Sequence, residues 1–319
     1  MVILAILFVF IIGLCIGSFL NVVVLRSLSE ESIVFPASKC PKCQTALKWW
    51  HNIPVISYIC LKGKCAFCKE PISIQYPILE LITGIVFVLV FLRYGVSITT
   101  LFALSAASLL IVIAGTDIRE KVVFDRHTYA LIALGLLYAI IITLIVPFPG
   151  LNKEFLFNNP ITISLLGIIL GIVIMEIVAR LGYLVAGTRA FGEGDTYIAA
   201  GLGAIFGWHA LIKILVLSLV IQVVFTLPVF MRKLIQNKDW RTLISLSMFF
   251  LYVIGFLVLQ DRGLLVNISV YTACVILLAA IGLYACKQIL TGLKEKKEEL
   301  MYLPFGPAMV IAALIVMLL

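Results

Sequence analysis

The sequence predicts an all-α polytopic membrane protein with about eight to ten transmembrane helices. Three observations carry that prediction. The chain of 319 residues is 63% hydrophobic and only 13% charged. Its mean hydropathy is +1.19. Runs of roughly twenty apolar residues, the length needed to cross a bilayer as a helix, recur along it. The net charge of +8 does not point to nucleic acid, because the charges collect in short segments between apolar runs and therefore mark topology.

The candidate spans are about 2–25, 78–94, 98–116, 128–147, 160–182, 196–207, 209–230, 243–260, 264–286 and 303–319. The first has no basic residue before it and no small-residue cleavage site after it, so it reads as a retained span. The piece 196–207 is short and glycine-rich, and reads as a tilted or half-length helix or as one that merges with the next span. With Met1 outside, 20 of the 24 Lys and Arg residues fall in five loops on one side. The positive-inside rule makes that side cytoplasmic. Five regions follow: 1–25, a first span; 26–77, a cytoplasmic loop domain; 78–241, a membrane core; 242–286, an additional helical pair; and 287–319, a charged linker with the last span.

The loop at 26–77 carries Cys40-Pro41-Lys42-Cys43 and Cys65-Ala66-Phe67-Cys68. Two C-x-x-C pairs suit a tetrahedral zinc ion held by four thiolates. The alternative is a pair of disulfides, which a reducing cytoplasm disfavours. Four thiolates leave no open coordination position, so the zinc is expected to be structural. A small loop domain with few large apolar groups needs such a staple. Cys15, Cys60, Cys274 and Cys286 lack paired spacing and read as small buried hydrophobes. His51, His127 and His209 are scattered and read as structural, with His51 packing the loop beside Trp49-Trp50.

Two aspartates carry the candidate chemistry. Asp117 ends one apolar run, in Gly115-Thr116-Asp117-Ile118-Arg119; Asp195 starts another, in Gly192-Glu193-Gly194-Asp195. A carboxylate at or inside a bilayer boundary is costly and is a functional candidate. The bland reading is a helix-end charge among headgroups. Their placement on one predicted side raises the prospect of a pair that shares a proton and activates water. Gly192 and Gly194 lack Cβ atoms, which would let a substrate strand approach. Glu193 is expected to face solvent. Glu176 stands at mid-depth, with Arg180 one turn on as a candidate partner for a buried pair. Arg119, Lys121, Arg126 and Arg189 read as candidate lipid-phosphate contacts.

Several segments together resemble the type IV prepilin peptidases. They are Gly17-Ser18-Phe19-Leu20-Asn21-Val22-Val23 with Arg26, the paired cysteines with Trp49-Trp50-His51-Asn52-Ile53-Pro54, and Gln75-Tyr76-Pro77 with Glu80. Phe191-Gly192-Glu193-Gly194-Asp195, Gly201-Leu202-Gly203 with Gly207-Trp208, and Pro304-Phe305-Gly306-Pro307 complete the set. The likeness covers about 1–232 and 300–319. It implies a bacterial inner-membrane aspartic endopeptidase that removes the basic leader of prepilins or pseudopilins after a glycine, at the cytoplasmic face. It also implies, for many members, methylation of the new amino terminus by S-adenosylmethionine. On this resemblance Asp117 and Asp195 are catalytic, with Gly192, Gly194 and Asp125 as supporting motif residues. Phe124 replaces a proline usual in the family. No residue emerges as a ligand of the methyl donor. Glu30, Glu31 and Glu120 are candidate contacts for the basic leader. The resemblance implies prepilin and lipid as partners, and no nucleic acid. Cleavage without methylation is an alternative. Two other classes compete: an ion-coupled transporter, which would need acidic groups at mid-depth, and a zinc-bearing scaffold, which would leave the aspartates without a role.

Overall fold

Helix is the expected form of the apolar runs, because lipid offers no partner for an unpaired backbone group. The computed structural model describes residues 2–35, 37–145, 159–186, 192–237 and 239–245, a few isolated positions between 247 and 284, and 304–319. The chain forms two compact units. One holds Met1–Leu181, Arg189–Val220 and Pro304–Leu319; the other holds Gly182–Thr188 and Ile221–Leu303.

In the first unit α1 spans Val2–Leu28. A 3-10 turn, Trp49–Asn52, and the short helix α2, Ile56–Cys60, lie in the loop that follows. The helices α3 (Gln75–Tyr94), α4 (Ile98–Glu120), α5 (Asp125–Ile145) and α6 (Pro160–Ala186) come next. Then α7 runs over Glu193–Gln236, and α8 is Gly306–Leu318. Among the described residues six helices are long and apolar enough to span a membrane, and α8 is shorter.

The helix α7 has 44 residues, about 66 Å at 1.5 Å per residue, too long for one crossing of a ~30 Å core. It breaks at Gly207, whose φ of 73° and ψ of 171° only glycine adopts readily. The glycine-rich piece expected at 196–207 is thus the arm before this break. The expected additional pair at 242–286 lies mostly outside the described residues. Within the second unit, Asp239 caps the turn at Thr242, whose N–H and hydroxyl both donate to it, and Tyr252 donates to the Cys274 carbonyl.

The helix α4 is the centre of the first unit. It packs against α1, α3, α5 and α8. Its buried residues run from Thr100 through Leu110, Ile113 and Asp117 and face its several neighbours, while Leu101 and Ile118 stay exposed. The helix α8 lies antiparallel to it. Gly306 begins α8 beside Asp117, while Tyr94 and Arg93, at the end of α3, donate to the carbonyls of Met317 and Leu319.

Helices in lipid gain little from hydrophobic burial against one another, so small residues that permit close packing set the contacts. Gly13 and Gly17 of α1 lie against α3, where an added Cβ would stand 2.7 Å from Cα of Gly84 and 2.8 Å from Cα of Glu80. Gly167 and Gly203 bring α6 and α7 together backbone to backbone, and Ser164 donates to the Ala204 carbonyl beside them. Cys15 and Cys60, expected to be buried, are exposed. Cys15 sits on a helix with most of its surface turned outward, where lipid accepts a thiol as readily as a core does. Glu176 does pair with Arg180, at 3.0 Å, but its side chain is 37% exposed, so the pair is not the buried one expected.

Replacing Gly203 by valine should force α6 and α7 apart. Overpacking of this kind costs about 1–3 kcal/mol, and detergent-solubilised protein should unfold at a lower temperature. Unchanged unfolding would contradict the close approach.

Candidate active site and metal centre

Each aspartate is placed by a helix end. The last residues of α4 close on Lys121, which takes the left-handed conformation (φ 56°, ψ 34°) and donates its N–H to the Asp117 carbonyl. The Asp117 side chain turns inward and is 4% exposed. It faces the first turn of α8, where the Gly306 amide donates towards the carboxylate. A Cβ at Gly306 would overlap Oδ2 of Asp117 and come within 3.2 Å of Ile198 on α7. Oδ2 itself has no hydrogen-bond partner among the described residues. Asp195 is the third residue of α7 and 6% exposed. Its Oδ2 accepts the Gly192 N–H at 3.1 Å, the return arm of a capping box. Thr196 beside it is buried, and its hydroxyl has no partner among the described residues.

The two carboxylates are near enough for their charges to interact. Asp195 and Ile198, three residues apart on α7, share one helix face, and Ile198 meets Gly306, which meets Asp117. Two buried acids from different helices therefore converge, each beside the positive end of a helix dipole. One can hold a proton while the other is ionised, the arrangement that activates water against a carbonyl.

Gly194 is needed for a contact within the chain, since a Cβ there would stand 2.6 Å from Cβ of Val123. The close approach expected from a substrate strand is thus made by the 121–124 loop. Asp125 is exposed and opens α5, its carbonyl accepting the Thr128 hydroxyl. Phe124 accepts the His127 N–H at 3.0 Å, meets the His127 ring edge-on and lies under Arg126. Glu193 is exposed. Arg119 is exposed and donates to Gln75 Oε1 at 2.6 and 2.9 Å, which ties α4 to α3. The role of Gly306 was not read from the sequence. Its signal was the Phe-Gly-Pro run next to a short last span.

A second cluster lies in the 26–77 loop. The sulfur atoms of Cys40, Cys43, Cys65 and Cys68 all lie within 4.8 Å of one another. The two knuckles repeat one geometry. Cys40 and Cys65 each receive an amide hydrogen bond from four residues on, while Gln44 and Lys69 each take positive φ. Cys40 and Cys68 stand 3.8 Å apart, sulfur to sulfur. That distance is too long for a disulfide. It equals the edge of a tetrahedron with metal–sulfur bonds of ~2.3 Å, about 3.8 Å. The thiols respond unequally. The Thr45 hydroxyl and amide hold Cys43 down to about 6. The Glu70 amide pulls Cys68 down, but partial desolvation and hydrogen bonding with its three sulfur neighbours push it up to about 11. Such a cluster is able to hold one tetrahedral metal ion. His51 packs the same loop, edge-on to Trp50 and Phe67. His127 shares a hydrogen bond with the Ser27 hydroxyl, and His209 stacks on Trp208.

Residues 11–94 match the profile of the Bacterial Peptidase A24 N-terminal domain, and residues 104–227 that of the Type IV leader peptidase family. The four cysteines lie in the first stretch and both aspartates in the second. The chain is similar to proteins named Prepilin leader peptidase/N-methyltransferase. That of Myxococcus xanthus is 35% identical, over 66% of this chain and 59% of the relative. That of Neisseria gonorrhoeae is 34% identical, over 67% and 78%. That of Klebsiella pneumoniae is 34% identical, over 66% and 89%. The chain thus spans less than two thirds of the Myxococcus relative. No solved structure matches it.

Cys40→Ser should lower bound metal from one ion per chain towards none, measured by elemental analysis of purified protein. Equal metal in both proteins would remove the four-thiolate site.

Proposed function

Because this chain belongs to the type IV leader peptidase family, we propose that it is a membrane-embedded aspartic endopeptidase that removes the N-terminal leader of prepilins or pseudopilins. The observation that carries the reading is the convergence of Asp117 and Asp195. They are buried, come from different helices, and stand at one end of the bundle. Asp117 lies 19 positions beyond Ile98, about 29 Å along α4, which puts it at the far boundary of a bilayer that Ile98 enters. The positive-inside rule makes that boundary cytoplasmic and leaves the amino terminus outside. The localisation proposed is the bacterial inner membrane.

In the proposed step the ionised aspartate takes a proton from water. The oxygen attacks the scissile carbonyl, and the protonated aspartate donates to the carbonyl oxygen, giving a tetrahedral diol. Collapse of the diol breaks the C–N bond, and the leaving amine takes up a proton. The two acids exchange roles as a unit. The Gly306 amide and the Gly192 N–H keep each carboxylate in place. Gly192, Gly194 and Asp125 support the site by building the first turns of α7 and α5. We assign zinc to the four-cysteine cluster, where it folds the loop and has no open position for substrate. The names of the relatives support a second activity, methylation of the new amino terminus, with S-adenosylmethionine supplying the methyl group.

Purified protein and a prepilin in detergent test this directly. Asp117→Asn and Asp195→Asn should each lower leader removal by at least about a hundredfold while unfolding like the native protein. Normal cleavage by either variant would sink the pair. Gly306→Ala should displace Asp117 and slow cleavage by about tenfold to a hundredfold. Glu30, Glu31 and Glu120 are exposed at the ends of α1 and α4 and fit a basic leader. Their combined reversal to lysine should raise the KM for prepilin, and an unchanged KM would remove them as leader contacts.

A further inference from the structure

The loop between α1 and α3 carries an apolar edge that neither the metal nor the aspartates use. Trp49 is 75% exposed, Ile59 67% and Ile56 58%. Trp50 and Phe67 are also exposed, at 45% and 44%. These residues are organised. Trp49, Trp50, His51 and Phe67 form a row of edge-on rings at 5.4 to 5.8 Å. Ile56 and Ile59, three residues apart on α2, share one helix face, and α2 packs on the 3-10 turn that holds the tryptophans. Basic groups flank the edge along the chain. Lys48 stands over the Trp50 ring at 5.0 Å, and Lys62, Lys64 and Lys69 are exposed nearby. The segment 26–77 holds seven Lys and Arg against three acidic residues.

One hydrogen bond fixes the height of this edge. The Val55 N–H donates to Glu80 Oε2 at 2.8 Å, and Glu80 is 6% exposed within the spanning helix α3. Glu80 lies five residues past the start of α3, about 8 Å along it. Val55 has φ +60° and ψ −48°, and Ile56 donates back to the Pro54 carbonyl. That is a tight γ-turn of the less favoured hand, strained for a β-branched residue. The turn delivers α2 directly from the Glu80 anchor. Residues 56–60 therefore begin at the level of the headgroups, not out in solvent.

We propose that the metal-binding loop docks on the bilayer: Trp49, Trp50, Ile56, Ile59 and Phe67 enter the interface of an anionic lipid surface, and Lys48, Lys62, Lys64 and Lys69 meet its phosphates. Tryptophan and lysine are the residues that settle at this depth. Charge complementarity selects anionic lipid, since clustered basic groups beside a membrane are drawn to it. Both ends of the loop are held in the membrane, at Leu28 and Gln75, so the effective lipid concentration is high and docking needs little intrinsic affinity. The inference is independent of the peptidase reading; it rests on α1 and α3 spanning a membrane.

The test uses the whole protein in nanodiscs of mixed anionic and zwitterionic lipid. The emission of Trp49 and Trp50 is the difference between native protein and W49F/W50F. Lipids brominated high on the acyl chain should abolish most of that difference emission, and aqueous acrylamide should leave it largely intact. In K48E/K62E/K64E the bromine quenching should be partly lost. Ready quenching by acrylamide with none by bromine would overturn the proposal. So would shielding that develops only when a prepilin or a second copy is added, because the occupant would then be protein. Equal bromine quenching in the lysine variant would overturn the choice of anionic lipid.

Discussion

Close approach of one helix backbone to another, where no Cβ has room, is the constraint on which the rest of this structure depends. Lipid surrounds the spans with material as apolar as they are, so burial alone does not choose neighbours. Position is chosen where glycine lets helices interlock. Gly13 and Gly17 lock α1 onto α3, Gly167 and Gly203 lock α6 onto α7, and Gly306 seats the first turn of α8 on Asp117. The first two contacts place helices. The third places a charged group, and it explains why a last helix of only 13 residues belongs to the centre of the unit.

Burying a carboxylate beside a helix end also settles which way it points. Asp117 sits near the carboxyl end of its own helix, where the dipole is unfavourable to it, and it turns to the amino end of another. Asp195 needs no such turn, because it lies in the first turn of its own helix and accepts the Gly192 N–H. The proposed pair is therefore asymmetric by construction. One acid is held locally by a cap that four consecutive residues make. The other depends on residues almost two hundred positions away along the chain. Among the described residues Asp117 Oδ2 accepts no hydrogen bond, so it is the carboxylate oxygen with a lone pair left for a new donor.

This difference explains what the sequence made legible. The spans were readable because lipid demands long apolar runs. The four cysteines were readable because ligand spacing in a knuckle is local, and their sulfur positions agree with the spacing. The aspartates stood out because a carboxylate at the end of an apolar run is rare. The partner of Asp117 was not readable, since nothing local to Gly306 signals which of several spans it will meet. At Gly194 the missing Cβ is visible in the sequence, but Val123 as its neighbour is not. Arg119 is the surface cation its position suggests, but its acceptor Gln75, 44 residues earlier, is not legible locally. Exposure of Cys15 was misjudged because apolar character does not distinguish a lipid-facing position from a core one.

The same long-range contacts connect the metal loop to the aspartates. The knuckles fold the loop, the loop presents Val55, and Val55 is held by Glu80 on α3. On the same side of the bundle, Asn21 of α1 donates to the Tyr76 carbonyl, in the first turn of α3. One residue earlier, Gln75 is gripped by Arg119, two positions beyond Asp117. The start of α3 is thus fixed from both directions, by the loop through Glu80 and by the end of α4 through Gln75. If the four thiolates hold a metal as proposed, its removal should loosen the Val55 end of this chain of contacts and leave the Arg119 end intact. A metal in the loop would bear on the aspartates through α3 and through α1, which packs on α4 where Val24 meets Gly115. Loss of the metal should therefore disturb whatever the loop itself touches more than it disturbs the geometry of Asp117.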